Sequence, residues 1–382
     1  MLEIYKYQEN NKIEIIFFDD NMKVVVLPTK YMRYISKVPR YSPKSINQYA
    51  KILKYFCDFL EKRYLNISVD DIICSIGSIV IGEYLVHLSN SGLEASTVRN
   101  RDVIIKGFME WLTTKDGGNV REDSGYLNGR YKSPNPVKKL PKYLTVYEII
   151  AFIKNLHDES QRCIVHFLFD SGLRISELIR VKKSDIPNLD DSPDNSMYFS
   201  LEVRGSKGAG GNIKTRKTYI SRSMIQRINR LHNQNKAYRR AKLKYGPDMP
   251  CFLNVHGEEL TIGAIQNLLH KAAKRANLDP SKYTSHKYRH SFAISVLISE
   301  FDADFINKLV IVKEALGHNH IKTTQIYTSI APAEIKRLQE MNKINEIFNR
   351  YEESQKVYEE TYLPQKKHKE KRGRNKSARN KS

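Results

Sequence analysis

MYFSLEVRGSKGAGGNIKTRKTYIS, residues 197–221, is the stretch in which the chain changes its period. Met197 to Arg204 and Arg216 to Ser221 alternate in twos, as strands do, around the glycine-rich GSKGAGGNIK, and the whole reads as a hairpin. What flanks it repeats at helical spacing. Upstream, Thr145 followed by Glu148 fits a capping box that opens a helix, and helical patterning runs on to about Lys182. Downstream the chain is mostly helical to Tyr358. A lone hairpin among helices makes residues 143–360 an α+β domain and predicts a molecule that is mainly α with a small β-hairpin or sheet.

Working toward the N-terminus, Lys115 to Lys142 carries GG, SG and NG dipeptides and then Pro134, Pro136 and Pro141, a density of breakers expected of an interdomain linker. Before it, Ser42 can cap a helix and Pro43 suits its first turn. Ile46, Tyr49, Leu53, Phe56 and Leu60 then recur on one face, and a second helix from about Ser96 aligns Val98, Ile105, Phe108, Trp111 and Leu112. Residues 41–114 read as a small all-helical domain. Residues 1–40 read as a short β-rich leader, with runs at Ile13 to Phe18 and Val24 to Leu27 about a turn at Asp19 to Asn21. Toward the C-terminus, Ile335, Leu338, Met341, Ile344, Phe348 and Tyr351 form an apolar helical stripe, fit for a neighbouring copy or for packing within the chain. Residues 361–382 are expected to be a disordered basic tail: Pro364 to Ser382 holds nine Lys or Arg and one Glu.

The 382 residues hold 64 Lys and Arg against 42 Asp and Glu, a net charge of +22, and the excess is spread over body and tail alike. That distribution suits a polyanionic partner, of which nucleic acid is the commonest. With 40% hydrophobic and 10% aromatic residues the chain can fill real cores, which excludes wholesale disorder. No apolar run reaches the roughly 18 to 20 residues of a membrane span, and the first residues lack the pattern of a signal peptide, so a cytoplasmic, nucleoid-associated protein is expected. Cys57, Cys74, Cys163 and Cys251 form no CxxC pair and read as reduced core residues.

Three segments carry chemistry: SGLRISEL at 171–178, HKYRHSFA at 286–293 and LGHNHIKTTQIYT at 316–328. They place Arg174, His286, Arg289, His318 and Tyr327 in one domain, with Lys207 on the hairpin. A phosphodiester under attack gathers charge on its non-bridging oxygens, and two guanidiniums can hold that charge bidentately. Gly172 predicts a tight turn into a helix, aiming Arg174 and nearby N–H groups at an anion. His286 and Arg289, three apart, share a helix face. A tyrosine hydroxyl can form an ester that stores the bond energy, and with a pKa of about 10 it leaves readily on reversal. The departing 5′ oxygen needs a proton, which a hairpin lysine could supply; Lys214 and Lys217 share the hairpin with Lys207. His290 and His320 read as structural.

These motifs resemble those of the tyrosine recombinase family, the phage-integrase type of DNA breaking and rejoining enzymes. GLRISEL is similar to the first-arginine box, HKYRHSFA to the His-x-x-Arg box, and LGHNHIKTTQIYT to the box of second histidine and nucleophilic tyrosine. The resemblance covers about residues 42 to 350, with the helical segment after Ser42 similar to the core-site-binding domain. It implies that Arg174, His286, Arg289 and His318 hold and activate the scissile phosphate, that Tyr327 becomes 3′-phosphotyrosyl, and that Lys207 in GSKG is the general acid. The loop SKGAGGNIKTRK is longer than the family's usual GKG hairpin and leaves the choice of lysine open. The resemblance further implies a two-domain clamp on duplex DNA, a Holliday junction, a homotetramer on two recombination sites, an accessory or directionality factor, and no metal or nucleotide cofactor. A mobile-element integrase is the leading expectation. A type IB topoisomerase and a catalytically inactive DNA-binding regulator of the same fold are the alternatives.

Overall fold

The computed structural model describes residues 1–9, 12–38, 41–137, 141–191, 196–207, 213–299, 305–318, 321–328 and 350–364. The stripe from Ile335 to Phe348, His320, the hairpin tip and the basic tail beyond Pro364 lie outside the described residues. The chain forms two compact units, one built mainly from residues 1–139, the other from 140–206 and 213–382.

In the first unit, strands β1 (Glu3–Glu9), β2 (Lys12–Phe18) and β3 (Val24–Val25) form an antiparallel sheet in chain order. Five helices follow: α1 (Val26–Ser36), α2 (Pro43–Arg63), α3 (Val69–Ser75), α4 (Ser78–Asn90) and α5 (Ala95–Trp111). The expected hairpin at 13–25 is present. β1 was not foreseen, and the second run ends as strand at Val25 because Val26 and Leu27 begin α1. Asp70, from α3, accepts from both of their backbone N–H groups at 2.7 and 2.8 Å. The helix start is thus capped by a residue more than forty positions away, which no local pattern discloses. Ser42 caps α2 as expected, accepting from Ser45 N, with Pro43 in the first turn.

The leader is no separate appendage. Ile13, Ile15 and Phe17, alternating on β2, enter one core with Leu53, Phe56 and Phe108. The expected linker is also part of this unit up to Ser133. Arg121 donates to the carbonyls of Ile73, Cys74 and Ile76, serving the C-terminal end of α3. Buried Asp102 on α5 accepts from Tyr126 Oη at 2.9 Å and from Ser133 N and Oγ at 2.7 and 2.6 Å. The glycines and asparagines between them do make turns, Gly118, Asn119, Gly125, Asn128 and Gly129 all having positive φ, but the turns fold back on α3 and α5.

The second unit begins with α6 (Val146–Lys154), opened by the Thr145–Glu148 capping box. Then come α7 (Glu159–Ser171), the single turn α8 (Ile175–Leu178), the two-stranded sheet of β4 (Tyr198–Lys207) and β5 (Ile213–Ser221), α9 (Arg222–Gln234), α10 (Lys236–Tyr245), α11 (Ile262–Arg275), α12 (Ser285–Ile298), α13 (Phe305–Leu316), the short α14 (Ile321–Thr324), a 3₁₀ turn at Gln325–Tyr327, and α15 (Arg350–Thr361). Phe199, Leu201 and Val203, alternating on β4, join the main core with α6, α7 and α9. A second, smaller core lies between α12 and α13 and includes Tyr327. Among the described residues no single helix is long and apolar enough to cross a membrane. Three cysteines are buried as expected; Cys74 is exposed.

Candidate active site

The site begins where α7 stops. Gly172 has φ +61°, and a Cβ there would lie 2.6 Å from the ring of Phe292 on α12, so glycine is demanded twice, by backbone and by neighbour. The turn it permits delivers Arg174 to the N-cap of α8. Glu177, three residues on and buried, accepts from Arg174 N at 2.9 Å and Arg174 Nη1 at 2.9 Å. Of the groups this turn was expected to aim at an anion, Arg174 and nearby N–H groups, the N–H of Arg174 itself is taken by a carboxylate of the same turn. The Arg174 side chain remains 31% exposed, and among the described residues Nη1 to Glu177 is its one side-chain hydrogen bond.

Glu177 also accepts from Arg216 Nη2, on β5, at 2.8 Å. Burial would raise its pKa, but the charges of Arg216 and Arg174 and the backbone bond outweigh that and hold the carboxyl below its usual range. Arg216 uses Nη1 on the carbonyl of Ala315. Arg289, buried on α12, repeats the pattern one residue along, donating from Nη1 to Gly172 O at 2.7 Å and from Nη2 to Leu316 O. Two arginines thus staple the turn after α7 to the end of α13. Burial, then the Arg174 and Arg216 cations, lowers the Arg289 pKa to about 9, which still leaves it charged at neutral pH.

His286 lies one turn before Arg289 with its side chain exposed; partial desolvation first, then Arg289 and Arg174, lowers its pKa. His318 follows α13, its Nδ1 3.0 Å from Thr324 Oγ1. Burial, Arg289, Arg174 and Arg216 bring it to about 4. Both histidines feel both arginines, so four of the expected site residues share one electrostatic neighbourhood. Tyr327 is 1% exposed, packed on Phe292 and Leu316, with Oη 2.8 Å from His290 Nδ1. Burial raises the phenol to about 12, with Arg289 pulling the other way. Lys207 ends β4 and Lys214 lies on β5, but their side chains lie outside the description; Lys217 is exposed on β5.

Glu177, Arg216 and His290 are the residues that sequence reasoning passed over. Glu177 stood in SGLRISEL, three after Arg174, at the spacing of a capping box. Arg216 is in phase with Thr218 and Ile220, both buried, and a charge on the buried face of a strand signals a buried partner. His290 was read as structural, yet it touches the tyrosine hydroxyl.

Residues 142–334 match the model of the phage integrase family, and residues 29–116 match the N-terminal SAM-like domain of phage integrases. The chain belongs to the phage integrase family. It is a tyrosine-type recombinase, an enzyme of DNA strand breakage and rejoining. Among curated proteins it is similar to tyrosine recombinase XerC of Caldanaerobacter subterraneus subsp. tengcongensis, 27% identical over 86% of this chain and 90% of that one. It is likewise 27% identical to tyrosine recombinase XerD of Staphylococcus aureus, over 81% of this chain and 95% of the other. In fold, the recombinase is similar to the Tn1549 transposon integrase solved with transposon right-end DNA, at TM-score 0.57 and 17% identity over 82% of this chain and 99% of that chain. XerH recombinase bound to a palindromic difH substrate gives TM-score 0.54 and 21% identity over 80% and 81%.

Proposed function

We propose that this recombinase is a site-specific integrase of a mobile element, cutting and rejoining duplex DNA through a 3′-phosphotyrosine on Tyr327 and a Holliday junction. The observation that carries the reading is the cluster itself: Arg174, braced by Glu177 but with guanidinium to spare, shares one basic neighbourhood with Arg289, His286, His318 and Tyr327. In this reading Tyr327 Oη attacks phosphorus, the Tyr–O–P bond forms and the P–O5′ bond breaks. Arg174 and Arg289, with the two histidines, stabilise charge on the non-bridging oxygens. A hairpin lysine, Lys207 first and Lys214 or Lys217 otherwise, protonates the departing oxygen. The partners are double-stranded recombination sites, four protomers on two sites, and an accessory or directionality protein. Support for the mobile-element class comes from the resemblance to integrases, the Tn1549 enzyme among them.

Tyr327→Phe tests the nucleophile: covalent protein–DNA adducts on DNA from the flanks of the encoding element should vanish while binding persists, and adducts in the variant would refute the assignment. A substrate with sulfur at the bridging 5′ position separates the acid from the arginines. A thiolate, with a pKa of about 8 to 9, leaves without a proton, so cleavage by Lys207→Ala should be rescued and cleavage by Arg174→Ala should not.

A further inference from the structure

We propose that His290 is the base of the reaction, its Nδ1 taking the proton of the Tyr327 hydroxyl as that oxygen attacks phosphorus. The inference rests on the reading of Tyr327 as nucleophile. A phenol cannot become an ester oxygen without losing its hydrogen, and the packing of Tyr327 leaves water little access to it. The acceptor in place is His290 Nδ1 at 2.8 Å, the rings tilted with centroids 5.7 Å apart. His318, also near the turn, engages Thr324 through its Nδ1.

The imidazole is suited to accept. Burial, then Lys287, His286 and Arg289, presses its pKa to about 4, so at neutral pH it is uncharged and, with its hydrogen on Nε2, offers the Nδ1 lone pair to the phenol. The charged and titratable groups around it are Lys287, His286 and Arg289 on its own helix, Tyr327 on the 3₁₀ turn and His318 after α13. A phosphate among these cations offsets the repulsion that disfavours the imidazolium, so His290 becomes a stronger base once DNA is seated. Atoms balance: the phenol proton passes to Nδ1, Tyr327 Oη bonds to phosphorus, the P–O5′ bond breaks, and the lysine proton goes to the 5′ oxygen. On resealing, Nδ1 returns its proton to the departing phenol.

The test is single-turnover adduct formation on a nicked duplex from the end of the encoding element, between pH 6 and 10. His290→Asn keeps an oxygen acceptor near the Nδ1 position but cannot take a proton, and DNA binding serves as the folding control. The native rate should be level above neutrality. His290→Asn should fall by about 10²- to 10⁴-fold at pH 7 and recover with rising pH as hydroxide replaces the base. Added imidazole should partly restore His290→Ala. A native rate in His290→Asn, or a deficit equal at every pH and indifferent to imidazole, overturns the proposal. Tyr327→Phe run alongside keeps the two readings apart: adducts there remove the nucleophile assignment, whereas no adducts there with a native rate in His290→Asn removes only the base.

Discussion

Two places in the second unit bury the same chemistry, an arginine on a glutamate with a histidine nearby. In the first, Glu177 takes Arg174 and Arg216. In the second, Arg227, fully buried, donates from Nε and Nη2 to Glu159 at 2.6 and 3.1 Å and from Nη1 to Thr361 Oγ1 at 2.9 Å, its Nη2 also reaching Thr361 O. His166 lies between Arg227 and Ser354, so this second network docks α15 on α7 and α9. There the guanidinium is spent. At Arg174 one edge is braced and, among the described residues, the rest is left over. Leftover donor capacity, held at a charge that water does not neutralise, distinguishes a site from a structural ion pair, and neither charge nor burial alone does so.

The sharpest way to break this comparison is to delete each arginine. Arg174→Ala should lower cleavage by at least about 10²- to 10³-fold, measured as adduct formation, with little change in urea midpoint. Arg227→Ala should do the opposite: unfolding titrations should show a loss of about 3–5 kcal/mol, because Glu159 is left as an unpaired buried charge, while the folded fraction cleaves near the native rate. Equal effects of both on cleavage would erase the distinction.

Arg216 sits between the two kinds. It is nearly as buried as Arg227, yet its partner Glu177 braces Arg174. Lysine cannot span Glu177 and the Ala315 carbonyl as the guanidinium fork does, so Arg216→Lys should lower cleavage roughly tenfold with DNA affinity unchanged. A weaker affinity at native cleavage would place Arg216 on DNA instead.

The smallest effect is in acid stability, where the networks should separate by pH. His166 is held well below its ordinary pKa by burial and by Arg227 and Arg350. The unfolded chain then binds the extra proton, and stability falls as pH drops below the unfolded value of about 6.5. Glu177, also depressed, contributes stability present above its unfolded value of about 4.3 and lost as pH falls through its folded one. His232, His290 and His318 act in the same direction as His166. The measurement is therefore the difference between native and His166→Gln unfolding free energies from pH 7 to 4.5, which should narrow on acidification. A constant difference would show that His166 does not titrate there.

What the sequence disclosed follows the range of the forces involved. Helix caps at Ser42 and Thr145, the stripes of α2 and α5 and the β4–β5 hairpin are set by residues within a few positions of one another, and all were legible. Asp70 capping α1, Arg121 and Asp102 drawing in the expected linker, and Arg216 reaching Glu177 act across dozens of residues, and single-sequence patterning has no access to them. Of the expected site residues, Arg174, His286, Arg289 and His318 fall together, with Tyr327 beside Arg289. Its partner His290 was hidden by standing next to Arg289 in the same motif, where helical spacing gives no reason to single it out.

The small core between α12 and α13 gives Tyr327 a lodging of its own. Its ten buried side chains, among the described residues, form a cluster distinct from the larger one around α6, α7 and α9. Cooperative units of a domain open with free energies that grow with the apolar surface they bury. In the language of amide exchange, α13 and the turn bearing Tyr327 form a shallow foldon on a deep one. Their protons should trade with deuterium well before those of α7.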